Sequence, residues 1–250
     1  IILKYKVKEI IIRKDNRPYW LKKISQKFVK IYVRHFLEPQ FLYLGKGGAF
    51  FKPRHIKVFG NNVFIDDYPT LIGAKDANIQ FTSWNISDHK GEIKIGKYCL
   101  ITPGVRIMAA EKIHIGDSCM IAHGAYISDA DWHGIYDRSK PVGKTKPVIF
   151  EDNVWIGDTA IVCKGVKIGK NSIIGAGSVV TKDVPPNTVF AGNPAKKVKD
   201  LDIKNFTSRK DFFKDPIKLA NDFDALDKFS LGDNSLFGWI KSLLFPNKNN

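Results

Sequence analysis

The sequence predicts an all-β fold built as a stack of three-sided coils of short parallel strands, and three observations predict it. Apolar residues recur every six positions at Phe150, Ile156, Val162, Ile168, Ile174 and Val180, and small or β-branched residues stand four positions after each, at Val154, Ala160, Val166, Ser172, Ser178 and Val184. The same frame returns upstream at Ile95, Ile101 and Ile107 and again at Ile115, Ile121 and Ile127, with Cys99, Val105, Cys119 and Ala125 in the small slots. Gly157, Gly169 and Gly175 each directly follow an inward aliphatic residue, where a coil must turn. A period of six places one inward side chain on each flat face of a triangular coil, so about 18 residues close one turn. One coil cannot bury its apolar side alone, and stacking supplies the core.

Taken in chain order, residues 1–57 form a basic segment. Residues 3–8 alternate Leu-Lys-Tyr-Lys-Val-Lys, a strand pattern. After Pro18, Tyr19 to Leu37 reads as an amphipathic helix with Leu21, Ile24, Phe28 and Tyr32 on one side, Lys22, Lys23, Lys27, Lys30 and Arg34 on the other, and Pro39 after it. The coil array occupies residues 58–197, with degenerate first coils marked by Phe59, Ile65, Leu71 and Ile79. From Ile115 to Phe150 the chain spends 35 residues where one coil needs about 18, so a loop is extruded over 129–146. That loop is dense in hydrogen-bonding groups, and loops on rigid scaffolds are where function concentrates. The tail 198–250 is polar and partly helical, with an apolar run at 236–245.

The chain has 250 residues, 44% of them hydrophobic and 26% charged, the balance of a globular protein with one sizeable core. No apolar run reaches the roughly 18 residues that a spanning helix needs. Three cysteines are too few for a disulfide scaffold and fit no metal spacing, so a cytoplasmic setting is expected and no metal. Cys99 and Cys119 share one inward slot in successive coils and read as core fillers; nothing marks Cys163 as reactive. The net charge of +15 is concentrated: residues 1–57 carry 15 basic and 3 acidic side chains, leaving +3 for the rest. Three readings fit this segment: a cap on the open end of the coil stack, a peripheral contact with an anionic membrane surface, which would set the protein at the inner membrane face, and nucleic-acid binding. The last has no motif to support it, and no nucleic-acid partner is expected.

The run Asn153-Val-Trp-Ile-Gly-Asp158, then Gly165-Val-Lys-Ile-Gly-Lys-Asn-Ser-Ile-Ile-Gly-Ala-Gly-Ser-Val-Val-Thr-Lys-Asp-Val-Pro-Pro-Asn187 and Ala191-Gly-Asn-Pro194, resembles the hexapeptide-repeat acyltransferases, in particular their sugar O-acetyltransferase branch. The resemblance is strong over about residues 93–199. It implies a left-handed parallel β-helix, an exception to the usual right-handed crossover. It further implies a homotrimer with acetyl-CoA in the groove between neighbouring helices. By position, His133 resembles the catalytic histidine, and the chemistry agrees, because acyl transfer from a thioester to a hydroxyl needs a base near neutral pH. The other ring nitrogen wants an acceptor, for which Asp131, Asp129 or a backbone carbonyl would serve. The resemblance assigns acetyl-CoA contacts to Trp155, Ala176, Thr181, Lys182, Lys196 and Lys199, where ammonium groups suit the phosphates. Thr102 and Ala110 stand where simple sugar acetyltransferases carry Asn and Asp, so Tyr136, Asp137 and Arg138 become the acceptor candidates, with an Asp137–Arg138 ion pair as their other reading. His123, at a coil corner, is a lesser candidate for lining the groove. The expected function is transfer of an acetyl group to a hydroxyl of a sugar, free or lipid-linked, in a surface-glycan precursor. N-acylation of an amino sugar or nucleotide sugar, or a catalytically inactive β-helix scaffold, are the alternatives.

Overall fold

In the computed structural model, which describes residues 15–86, 88–202, 204 and 206–245, the chain divides into two compact units, Ile31–Lys214 and a smaller one that joins the residues up to Lys30 to those from Asp215 onward. The strand expected over residues 3–8 lies outside the described residues.

The larger unit is the coil stack. Its strands form three parallel sheets, one per face of the triangular column. Face one holds Val63–Ile65, Glu92–Ile95, Lys112–Ile115, Val148–Phe150 and Lys167–Ile168. Face two holds Thr70–Ile72, Leu100–Ile101, Met120–Ile121, Trp155–Ile156 and Ile173–Ile174. Face three holds Ile56–Phe59, Ile79–Ser83, Arg106–Ala109, Tyr126–Ser128, Ile161–Val162 and Val179–Val180. The inward residues stack in register: Ile95, Ile115, Phe150 and Ile168 on face one, Ile101, Ile121, Ile156 and Ile174 on face two, Ile107, Ile127, Val162 and Val180 on face three. All are buried, as are the small residues four positions on, including Cys99 and Cys119. Burial pushes the Cys99 thiol well up. The six-residue period is thus the packing period of the core, as the sequence reading expects.

The array starts earlier than the period suggests. Tyr43–Leu44 pairs with Val63–Ile65 and Ala49–Phe51 with Thr70–Ile72, so a first coil precedes residue 58, with one hexad step from Leu44 to Phe50 and a longer one to Val58. Before it, a π-helical turn over Val33–Leu37 buries Val33 and Leu37, and the Phe41 ring packs edge-on to Phe81 at 5.9 Å. Phe59 departs from the inward frame: Val58 pairs with Phe81, which pairs with Ile107, so Phe59 falls one position off and points out. At the other end Lys196–Asp200 turns back antiparallel to Thr188–Ala191. Arg209, on the short helix Arg209–Phe212, donates to the Tyr98 carbonyl (2.7 Å) and the Thr70 hydroxyl (2.9 Å), and Phe213 packs on Tyr68 and Tyr98.

The smaller unit is helical. Helix Tyr19–Tyr32, most of which belongs to it, is tied to helix Pro216–Leu231 by Lys22–Asp227 (2.7 Å) and Lys23–Asp224 (2.6 Å), with the Tyr19 hydroxyl donating to Asp224 (2.9 Å). A third helix, Leu236–Leu244, carries the apolar run of the tail. Trp20, Ile24 and Phe28 are exposed at 51%, 41% and 67%, so this face of the amphipathic helix is not buried.

At the edge between faces one and two, Asn153, Asn171 and Asn187 all have left-handed φ (58°, 61° and 58°), and their side chains form a ladder, Asn153 to Asn171 at 3.0 Å and Asn171 to Asn187 at 2.7 Å. Asn tolerates that backbone where most residues do not. Asn171→Ala is expected to cost about 1–3 kcal/mol in urea unfolding, from left-handed strain plus lost hydrogen bonds, and Asn171→Gly less, since it keeps the backbone.

Candidate functional site

The third edge of the column, where the chain passes from face three back to face one, carries the two longest insertions into the stack. Below the strand Ile79–Ser83 a small hairpin, Asn85–Ile86 against His89–Lys90, projects from it. Two coils on, the expected loop leaves after Ser128 and rejoins at Val148, closed at its neck by Asp131 N to Lys144 O (3.0 Å), Gly143 N to Asp131 O (2.7 Å) and Lys146 N to Asp129 O (2.9 Å). Asp129 is fully buried and accepts from the backbone N–H groups of Ala110 (2.8 Å), Glu111 (2.9 Å) and Lys112 (2.6 Å). Burial pushes its carboxyl up and the three donors pull it back down. Its oxygens are therefore spent on the turn above and do not face His133.

His133 lies exposed on the loop with Nδ1 3.3 Å from the Lys140 carbonyl oxygen. A carbonyl only accepts, so Nδ1 is the donor of that bond, and in the neutral tautomer the lone pair then belongs to Nε2. Of the three acceptors the sequence allows, the structure places the backbone carbonyl there. The Asp131 carboxylate instead receives the Lys164 ammonium from the following coil. Trp132 folds back on the stack, its indole donating to the Tyr126 hydroxyl (2.8 Å), while Arg106 lies over the Tyr126 ring at 4.6 Å. Gly143 is the close-approach residue: a Cβ there would stand 2.4 Å from the His133 carbonyl oxygen.

Tyr136, Asp137 and Arg138 occupy the loop tip and are exposed, Tyr136 completely. Asp137 accepts from the backbone N–H and hydroxyl of Ser139 (3.1 and 2.5 Å), which holds its carboxyl below the usual range; the ion pair with Arg138 is not formed. The six residues assigned to acetyl-CoA separate into two groups. Thr181 and Lys182 follow Val180 on the third edge, below His133 and Lys164. Trp155 stands outward on face two between Met120 and Ile173, Ala176 on the edge between faces two and three, and Lys196 and Lys199 on the antiparallel strand that ends face two. Lys182, Lys196 and Lys199 are exposed and lack an acidic partner among the described residues, so the cationic donor set suits phosphates. Within one chain these groups do not converge. His123 is exposed at the edge between faces two and three, away from the His133 loop. Among the described residues no group of His, Cys, Asp and Glu could hold a metal ion.

Residues 147–182 match the model of the bacterial transferase hexapeptide family, described as six repeats. Over 125 residues the chain is 35% identical to galactoside O-acetyltransferase of Escherichia coli, a match covering 49% of this chain and 60% of that protein. It is 54% identical over 65 residues to a 2,3,4,5-tetrahydropyridine-2,6-dicarboxylate N-acetyltransferase of Clostridium perfringens, covering 26% of this chain and 27% of that one. Among solved structures it is similar to a maltose O-acetyltransferase from Clostridium difficile, with TM-score 0.42 and 28% identity over 76% of this chain and 91% of that one. The chain thus spans less than two thirds of each of the curated relatives named here, 60% of one and 27% of the other. Over residues 147–182 it carries the hexapeptide repeats of that transferase family. Its column is the left-handed parallel β-helix that these repeats build.

Sequence reasoning named His133 but not Lys164, Gly143 or Trp132. Gly143→Ala forces a methyl group against the His133 backbone, and a shift of about 1 Å costs on the order of 100-fold in catalysis. The expected outcome is a loss of at least tenfold in kcat with a melting temperature close to wild type, checked by steady-state kinetics and calorimetry.

Proposed function

We propose that the protein transfers an acetyl group from acetyl-CoA to a hydroxyl of a sugar. The observation that carries this is the His133 imidazole, whose Nδ1 is anchored on a backbone carbonyl and whose Nε2 is free, on the same edge as Thr181 and Lys182. Nε2 takes the acceptor's hydroxyl proton as its oxygen attacks the thioester carbonyl carbon. The tetrahedral intermediate collapses with cleavage of the C–S bond, and the proton passes from the imidazolium to the departing CoA sulfur. No covalent enzyme intermediate is needed. Lys182, Lys196 and Lys199 hold the CoA phosphates as point charges, and Trp155 and Ala176 line the path of the rest of the molecule. Tyr136, Asp137 and Arg138 at the loop tip meet the acceptor.

The functional unit is a homotrimer. The two groups of acetyl-CoA residues stand on different edges of one column, and a neighbouring copy set beside it would bring one chain's third edge against another's face two. The acceptor is a sugar of a surface-glycan precursor. The protein works in the cytoplasm, where acetyl-CoA is made. The exposed Trp20, Ile24 and Phe28, flanked by Lys27 and Lys30, which have no acidic partner among the described residues, rest on an anionic membrane surface at its inner face.

His133→Ala is expected to reduce acetyl-CoA-dependent thiol release in the presence of a panel of glycoside acceptors by at least 100-fold. A variant that kept its rate would remove the base from the mechanism. Sensitivity of the product to alkaline hydroxylamine separates an ester from an amide, and a resistant product would move the reading to N-acylation. For the membrane, flotation with phosphatidylserine-containing liposomes is expected, and neutralising Lys27 and Lys30 together should weaken it by about 2 kcal/mol, near 1 kcal/mol per charge. Flotation equal to wild type would exclude this contact.

A further inference from the structure

The apolar run at 236–245, which neither the column nor acetyl transfer uses, folds as a helix with its apolar face outward. In helix Leu236–Leu244 the residues Leu236, Phe237, Ile240, Leu243 and Leu244 fall at i, i+1, i+4, i+7 and i+8, which is one side of an α-helix. That side is the exposed one, from 42% for Ile240 to 77% for Phe237. Trp239 and Ser242 lie away from it and are half-buried, and the Ser242 hydroxyl donates to the Trp239 carbonyl (2.7 Å). A helix that packed only within its own unit would turn the other way, because burial rewards its apolar side.

Helix Tyr19–Tyr32 repeats the arrangement. Trp20, Ile24 and Phe28, at i, i+4 and i+8, face out, while Lys22 and Lys23 turn to Asp227 and Asp224. The two helices are also fastened together where they begin. Asn234, just ahead of Leu236, donates through its side chain to the carbonyls of Asp15 (2.7 Å) and Arg17 (3.0 Å), just ahead of Tyr19. Two exposed apolar faces thus belong to one unit and set off from one point.

Charge says what covers them. Neither helix contains an acidic residue. Lys241 stands at the rim of the outer face between Phe237 and Leu244, exposed and without an acidic partner among the described residues, as Lys27 stands beside Phe28. An apolar face rimmed by cations alone is the pattern of a helix lying in the headgroup layer, where ammonium groups reach anionic phosphates and the apolar side chains sit among acyl chains. A second copy docked face to face would set lysine rims against lysine rims. Crossing the bilayer is ruled out by length, since nine residues rise about 14 Å against a hydrocarbon core of about 30 Å.

We propose that helix Leu236–Leu244 is a lipid-binding helix that lies in the plane of an anionic membrane surface, its outer face sunk among the acyl chains, together with helix Tyr19–Tyr32. This rests on the membrane contact already drawn for Tyr19–Tyr32 and gives it a second apolar anchor.

Flotation of the whole chain with phosphatidylcholine–phosphatidylserine vesicles tests it. Phe237→Ser combined with Leu244→Ser is expected to weaken binding by about tenfold or more, and Phe237→Leu combined with Leu244→Met, which keeps the face apolar, to stay within about threefold of wild type. Both positions are exposed, so the melting temperature without lipid is expected to stay near wild type in either pair. Hydrogen exchange adds a measurement that needs no variant: the amides of 236–244 gain protection when the vesicles are added. Undiminished flotation of the serine pair, or no gain in protection in vesicle-bound wild type, would overturn the proposal. So would a wild-type chain that, without lipid, forms a larger assembly than the serine pair does, because a second copy would then cover the face. The two helices fail separately. Flotation lost on neutralising Lys27 and Lys30 but undiminished in the serine pair leaves Tyr19–Tyr32 as the anchor and overturns the one proposed here; the converse removes the contact through Tyr19–Tyr32 and upholds Leu236–Leu244.

Discussion

Register is the constraint on which the rest of the molecule depends. Each coil is too thin to have an inside of its own, so Ile115 is buried only because Ile95 stands on one side of it and Phe150 on the other. A residue inserted into a strand would turn its side chains over and expose them, so added chain must leave at an edge and return in frame. The hairpin at Asn85–Lys90 and the loop after Ser128 both obey this, and both use the third edge. The His133 loop therefore stands at an edge by the same rule that builds the core.

Asp129 shows how a loop of this length is kept from wandering. Its carboxylate is sunk where the chain leaves the stack and receives three consecutive backbone N–H groups from the turn of the coil above. Burying a carboxylate without such donors would cost several kcal/mol; with them it fastens the loop's first residue to the rigid column. Lys164, from the coil below, then takes Asp131 two residues on. His133 thus sits four residues beyond a buried anchor and two beyond an ion pair, with its ring set by Lys140 O and its backbone approached closely by Gly143. The imidazole is exposed, yet its position is determined from coils on both sides.

What could be read in the sequence follows from which interactions are local and periodic. The hexad was legible because the packing distance of the core repeats along the chain, and the length of the extruded loop followed from counting residues against that repeat. The first coil was not, because it holds a single hexad step, from Leu44 to Phe50, before two extra residues delay Val58, and one step does not mark a period; Phe59 fell inside the frame and still points out. His133 was found through its neighbours in a recognisable run, whereas the Asp131–Lys164 pair spans 33 residues of chain and the contact of Lys22 with Asp227 spans 205. No local pattern encodes such pairs.

The same distinction reshapes the meaning of the charge. Counted along the chain, the segment before the array is a block of +12 that asks for a polyanion. In the folded helical unit Lys22 and Lys23 already have theirs, in Asp227 and Asp224, and Arg17 has Asp15. Exposed ion pairs of this kind contribute little to stability, but they do cancel field. The cations that remain to act on something else are fewer than the count implies, and Lys27 and Lys30 stand beside exposed Phe28 on one helix. An interaction there would join a small electrostatic attraction to the burial of three large apolar side chains, with the apolar part the larger of the two. It follows that salt alone should weaken such a contact without abolishing it, whereas an attraction carried by the whole +12 would be screened away.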